Sequence, residues 1–114
     1  MQTNQPIETY SDFWPYYLRE HSKPSTRAIH YAGTAVAIAC LAALILTGNG
    51  LFGLGALIGG YGFAWIGHFF VEKNRPATFT YPLWSLFSDF RMAGIWAIGR
   101  LRPELERAGI ERRR

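Results

Sequence analysis

No Asp, Glu, Lys or Arg occurs between Ala28 and Val71, so every formally charged side chain of this 114-residue chain lies in the flanks of that stretch. A small water-soluble domain spreads charge over its whole surface and does not carry so long an uncharged run. Cysteine is almost missing as well. The single Cys40 sits inside an apolar run, which excludes a disulfide framework and a cysteine zinc cage and leaves it the role of a small packed hydrophobe. Acidic residues are few, eight against twelve Lys and Arg for a net charge of +4. The basic residues flank apolar segments instead of forming one soluble patch, which argues against nucleic acid and for anionic lipid head groups as the counter-charge. What is abundant is apolar and aromatic, 49% and 16% of the chain. That composition excludes disorder, and the length allows one domain, residues 1–114.

The uncharged stretch divides at Thr47-Gly48-Asn49-Gly50, a turn-forming cluster of the kind that joins antiparallel elements. Its two arms, about residues 28–46 and 51–71, each approach the ~20 residues that a helix needs to cross a ~30 Å hydrocarbon core. Charged and aromatic residues precede the first arm and no small-residue cleavage site follows it, so a permanent hairpin is expected rather than a signal peptide. Lys23 and Arg27 precede the first arm, Lys73 and Arg75 follow the second, and the connecting loop is uncharged. The positive-inside rule then places both termini in the cytoplasm. Gly33 and Ala37, and one step round Ala35, Ala39 and Ala43, give the first helix a small-residue face, and Gly55 and Gly59 form a GxxxG in the second. Close helix contact is the expected role of these residues, and a homo-oligomer is compatible with them.

The flanks are built differently. Ser11 is expected to cap an aromatic-rich interfacial helix over about residues 11–21, with Pro24 interrupting the chain and Ser25 capping the first span. After the second span, Pro82 opens a segment with Leu83, Leu86, Phe87 and Phe90 at helical spacing, followed by an apolar run from Met92 to Gly99. A third crossing would bury Asp89 and Arg91 and carry Arg112, Arg113 and Arg114 across, so an interfacial or re-entrant helix over about 82–101 is expected. Asp89 and Arg91 read as a local structural pair, and the tail from Arg100 as solvated or held loosely at the lipid surface. The fold class is all-α: a small integral-membrane protein with a two-span antiparallel hairpin and interfacial or re-entrant helices at each end.

The three histidines fall at informative places. Counted from the middle of the turn, His30 lies 18.5 residues before and His68 19.5 after. At 1.5 Å rise per residue both are about 28 Å from the turn, at the cytoplasmic edge of the hydrocarbon. His21 precedes the first span by a few residues and can fold over that edge, so the whole histidine complement can converge. Ionisable groups in membrane segments are costly enough to mark a functional site. Glu72 at i+4 from His68 puts a carboxylate on the same helical face. Neutral imidazoles with a nearby carboxylate suit iron or zinc and leave positions open for substrate, and spacing does not choose between the metals. For each histidine alone, a bond to a backbone carbonyl or lipid phosphate is the plainer reading; for Glu72 the plainer role is partner to Lys73, Arg75 or Arg27. Beyond the second span, Asn74 and Arg75 present polar groups, and Arg75 or Lys73 could hold a carboxylate head group.

The segments Glu20-His21-Ser22-Lys23-Pro24, Arg27-Ala28-Ile29-His30-Tyr31-Ala32-Gly33 and Trp65-Ile66-Gly67-His68 running into Phe70-Val71-Glu72-Lys73-Asn74-Arg75-Pro76-Ala77, with Tyr81-Pro82-Leu83 and Ser88-Asp89, resemble the Mpo1-like family of small membrane proteins. The resemblance covers roughly Phe13 to Met92. It implies an iron(II)-dependent dioxygenase that shortens 2-hydroxy fatty acids by one carbon, with dioxygen as co-substrate. His21, His30 and His68 match the family's histidines and would be the iron ligands, while Glu72 and Asn74 match its other polar positions. Catalytic work would then fall to the histidines and Glu72, and substrate binding to Lys73, Asn74 and Arg75. The Ala- and Gly-rich spans suggest a bacterial inner membrane, or the endoplasmic reticulum if the chain is eukaryotic. Two other readings use the same residues: a zinc-dependent lipid hydrolase, and a non-enzymatic lipid-binding or assembly module.

Overall fold

A computed structural model describes residues 6–76 and 79–110; Ala77 of the motif above and Arg112, Arg113 and Arg114 lie outside the described residues. The described chain is helical throughout, without strands: α1 Tyr10–Arg19, α2 Pro24–Thr47, α3 Leu51–Glu72, α4 Pro82–Ala97 and α5 Leu101–Arg107. α2 and α3 are the two helices long and apolar enough to cross a membrane; α2 outruns its predicted arm, 28–46, by four residues at its start and one at its end, and α3 outruns its arm, 51–71, by one.

The start signals differ from those read in the sequence. α1 is capped by Thr9, whose hydroxyl accepts from the Asp12 amide, so the helix begins one residue before Ser11. α2 takes Pro24 as its first residue, not as a break before Ser25. Proline already has the helical φ and lacks only an N–H that the first turn leaves unpaired. At the other end Gly48 takes a left-handed conformation (φ 70°) and returns its N–H to Leu44, while Asn49 accepts from the Leu51 amide to start α3.

α2 and α3 cross where side chains are smallest. A Cβ on Gly33 would lie 2.6 Å from the Phe63 Cβ, and one on Gly59 would lie 2.7 Å from Val36 Cγ1 and 3.1 Å from the Ala37 nitrogen. A Cβ on Gly55 would meet the Cys40 sulfur at 2.9 Å, so the lone cysteine fills a gap in the hairpin. Gly33, Ala37, Gly55 and Gly59 therefore form the seam as expected, whereas Ala35 and Ala39 face outward. α3 is not a uniform α-helix. It passes through π turns at Ile58–Gly62 and Gly67–Glu72, and the second ends with Lys73 left-handed at φ 63°.

The packed core is not in the hairpin. It is an aromatic cap made by α1, α4 and α5, built on Phe13, Trp14, Tyr17, Leu18, Met92, Leu101 and Ala108. At roughly 1.5–3 kcal/mol per buried large side chain, this cluster is the main apolar stabilisation outside the hairpin. As far as residue 110 the tail is thus not loose: α5 docks on α1, and Glu104 accepts from the Trp14 indole at 2.9 Å. Asp89 and Arg91 do not pair. Asp89 is buried and accepts from the Tyr17 hydroxyl, while the Arg91 guanidinium lies 4.1 Å above the Trp14 ring. They sit two residues apart on a helix and so point to different faces.

Candidate metal centre

The cap and the hairpin meet at the three histidines, each delivered by a different segment. His21 lies in the turn after α1, His30 two turns into α2, and His68 in the second π turn of α3. Their rings stand nearly perpendicular, with centroids 4.3 Å (His21–His30), 4.4 Å (His21–His68) and 5.0 Å (His30–His68) apart. All three are buried, at 1%, 3% and 2% exposure. Gly67 lies beside the His30 ring, where an added Cβ would stand 3.5 Å from the ring, an ordinary contact.

Hydrogen bonds fix the tautomers. His21 Nδ1 donates to the Tyr17 carbonyl (2.6 Å), His30 Nδ1 to the Thr26 carbonyl (2.9 Å), and His68 Nδ1 to the Asn74 side-chain oxygen (2.7 Å). The Asn74 oxygen is assigned by its own amide group, which donates to the Glu20 carbonyl and carboxylate at 3.2 Å each. With every Nδ1 a donor, every Nε2 carries a lone pair. Those lone pairs converge, with His21 Nε2 and His30 Nε2 only 2.9 Å apart and one nitrogen of each ring within 4.8 Å of the others. Two lone pairs cannot bond each other, and a cation between them resolves the conflict. With bonds of about 2.1 Å, two nitrogens on one ion lie about 3.0 Å apart at a right angle and about 3.4 Å apart at the tetrahedral angle. The group could therefore hold a metal ion. Burial, and then the neighbouring His30 and His68 rings, hold the His21 imidazole well below its usual pKa, in the neutral form a ligand needs.

The remaining residues named from the sequence divide. Asn74 is drawn inward as the bridge between His68 and the Glu20 turn. Glu72 is not brought to the histidines. Its carboxylate accepts from the Lys23 amide (2.6 Å) and the Ser22 hydroxyl (3.4 Å), tying the end of α3 to the start of α2. The i+4 argument assumed an α-helix, and the π turn from Gly67 to Glu72 rotates that carboxylate off the His68 face. Nor does Glu72 pair with Lys73, Arg75 or Arg27: among the described residues the one ion pair is Arg107 with Glu104. Lys73 and Arg75 are exposed, and the Arg75 guanidinium rests 5.2 Å over Phe79.

Sequence reasoning missed the wall opposite the histidines. A small recess is lined by Tyr17, His21, His30, Ala64, His68, Ser85 and Asp89. Ser85 and Asp89 come from one face of α4, four residues apart, and the Ser85 hydroxyl is buried without a hydrogen-bond partner among the described residues. Burial raises the Asp89 carboxyl to about 7 against the opposing Tyr17 bond, and burial followed by Asp89 raises the Tyr17 phenol well above its usual value. Arg27 was also missed in its actual role. Its Nη1 donates to the His21 carbonyl (2.7 Å) and the Ser22 carbonyl (3.0 Å), clamping the turn that carries the first histidine.

Comparison with protein families adds the decisive observation: the model described as "2-hydroxy-palmitic acid dioxygenase Mpo1-like" matches residues 7–101. The chain belongs to the Mpo1-like family. The match spans α1 to the first residue of α5 and so includes all three histidines, Asn74, Ser85 and Asp89. No curated protein and no solved structure matches the chain. Within this Mpo1-like chain the α1 and α4 parts of the cap fall inside the match, whereas α5 lies beyond it except for Leu101.

Proposed function

We propose that the chain is an integral-membrane iron(II) dioxygenase that shortens 2-hydroxy fatty acids, or similar lipids, by one carbon at the edge of a bilayer. The observation that carries this reading is the buried convergence of three Nε2 lone pairs whose Nδ1 partners are all engaged. His21, His30 and His68 would hold the ion, and three protein ligands leave positions open for a substrate chelating through its hydroxyl and carboxylate. Bound iron(II) supplies the activation of dioxygen needed to break the C1–C2 bond. The family description supports the substrate class.

The protein's own groups do the rest. The Nδ1 bonds orient the rings before any ion arrives, and burial keeps bulk water from the site. Ser85 and Asp89 face the histidines with hydrogen-bonding capacity for the polar head of the acid. Exposed Lys73 and Arg75 attract the carboxylate to this edge, and Glu72 and Asn74 position the segments around it. The apolar flanks of α2 and α3 admit the acyl chain sideways from the lipid. Lys23, Arg27, Lys73 and Arg75 all lie at the open end of the hairpin, which favours cytoplasmic termini, in a bacterial inner membrane or the endoplasmic reticulum.

The test is to purify the protein anaerobically in detergent, measure iron and zinc, then add 2-hydroxypalmitic acid and air. The expected result is about one iron per chain and an oxygen-dependent acid one carbon shorter. Zinc with oxygen-independent turnover would indicate the hydrolase. Unchanged metal content after His21→Ala, His30→Ala and His68→Ala would indicate the non-enzymatic module.

A further inference from the structure

A cavity of about 310 Å³ lies between the first two turns of α2, the C-terminal end of α4 and α5, and shares no lining residue with the histidine recess. Part of its wall is aromatic: the Tyr31 and Trp96 rings stack at 4.3 Å with an interplanar angle of 17°. Its charged groups are Arg27, Arg102 and Glu106, so two guanidiniums face one carboxylate in an otherwise largely apolar pocket. The Tyr31 phenol oxygen is buried there without a hydrogen-bond partner among the described residues.

Arg27 is preorganised. Its Nη1 is used on the His21 and Ser22 carbonyls, which fixes the guanidinium plane, and the Tyr31 phenol lies against the same guanidinium at the cavity wall. Arg102 is exposed and belongs to a different helix, so the pair reaches the cavity from two elements. A guanidinium fork matches the paired oxygens of a carboxylate or a phosphodiester, and two guanidiniums can share the two non-bridging oxygens of a phosphodiester. The level in the fold points the same way. If α2 crosses a bilayer, its first two turns lie at head-group depth, and Trp96 and Ile98, 54% and 69% exposed, present apolar surface beside the cavity.

We propose that this cavity binds the phosphate head of an anionic phospholipid from the surrounding leaflet, with Arg27 and Arg102 on the phosphate and the Tyr31–Trp96 wall along the glycerol and first acyl carbons. The site is separate from the metal centre and stands whether or not the iron reading holds; it does rest on α2 being a membrane span. The guanidinium that receives the lipid is also the clamp on the His21 turn, so lipid occupancy and the seating of the first histidine share one side chain.

The experiment titrates the full chain in non-ionic detergent with dihexanoyl phosphatidylglycerol, following tryptophan emission and intact-complex mass. Saturable one-site binding is expected. Arg102→Gln should weaken it by about 10-fold, the scale of one charge-assisted hydrogen bond. Glu106→Gln should tighten it, and His68→Ala should leave it unchanged. Arg102→Lys, which keeps the charge, is the second variant should the glutamine form fail to fold, and it should bind with intermediate affinity. Absence of saturable binding, or equal binding by wild type, Arg102→Gln and Trp96→Ala, overturns the proposal. So does Arg102-dependent binding of octanoate as tight as that of the phospholipid, which would make this a fatty-carboxylate site. Flotation of the same protein with phosphatidylcholine vesicles tests the span reading separately, because it does not depend on Arg102.

Discussion

The turn end of the hairpin and the aromatic cap obey opposite rules. At the turn end, Ile45, Leu46 and Leu51 are 82%, 85% and 72% exposed, and the polar side chains that bond are those of the turn itself. In the cap, Phe13, Tyr17, Leu18 and Met92 are fully buried, and several polar groups bond across distant segments, as in Tyr10 with Ser88 and Tyr17 with Asp89, with Ser85 the exception at the histidine recess. One region turns its apolar side chains outward and the other packs them into its own interior. The difference teaches why the three histidines sit where they do: at the junction, the cap can satisfy buried polar groups beside the apolar rods.

The contrast can be broken most severely at the seam of the hairpin. Gly33→Val should abolish metal retention and most folded yield, because the new atoms meet the α3 backbone and Phe63, which cannot swing away; metal analysis of the detergent-purified variant checks it. Phe13→Ala strikes the other region. A loss of about 3–5 kcal/mol is expected from emptying a fully buried aromatic position, and hydrogen exchange should rise in α1, α4 and α5 while the middle of α2 stays protected.

Asp89 sharpens the comparison through pH. Its folded carboxyl is raised to about 7, so between its unfolded value near 4 and that point the folded state binds the extra proton, and stability falls as pH rises through the window. The wild-type loss relative to Asp89→Asn should reach about 4 kcal/mol above pH 7, read as diverging denaturation midpoints from pH 4 to 8. A variant difference that stays flat across that range would contradict it. The smallest effect is expected at Asn74→Ala, which leaves all three ligands but frees the His68 ring. Metal affinity should fall about 10–100-fold, by competition with a chelator.

Much of the hairpin was legible because absence of charge and a Gly-Asn-Gly turn are local signals. Equal spacing from that turn also placed His30 opposite His68. The π turns were not legible: they have no compositional mark in α3, and they alone decide that Glu72 leaves the histidine face. The cap was half legible. Helical spacing gave α1 and α4, but the charged run after Arg100 concealed Leu101 and Ala108, the first residue of a short helix and the residue that follows its last. Ser85 and Asp89 carried a signal, four-residue spacing of polar groups inside an apolar helix, that acquires meaning only once α4 is known to lie over the histidines.

Two of the three rings are anchored by a carbonyl one turn earlier in their own segment, His21 by Tyr17 and His30 by Thr26. The third is aimed by Asn74, whose orientation depends in turn on Glu20 at the edge of the cap. An isolated hairpin would therefore own one aimed ligand and one idle one. Chelation by all three rings would be complete only after the amino-terminal segment has seated, so ion capture would report that the cap has closed on the hairpin.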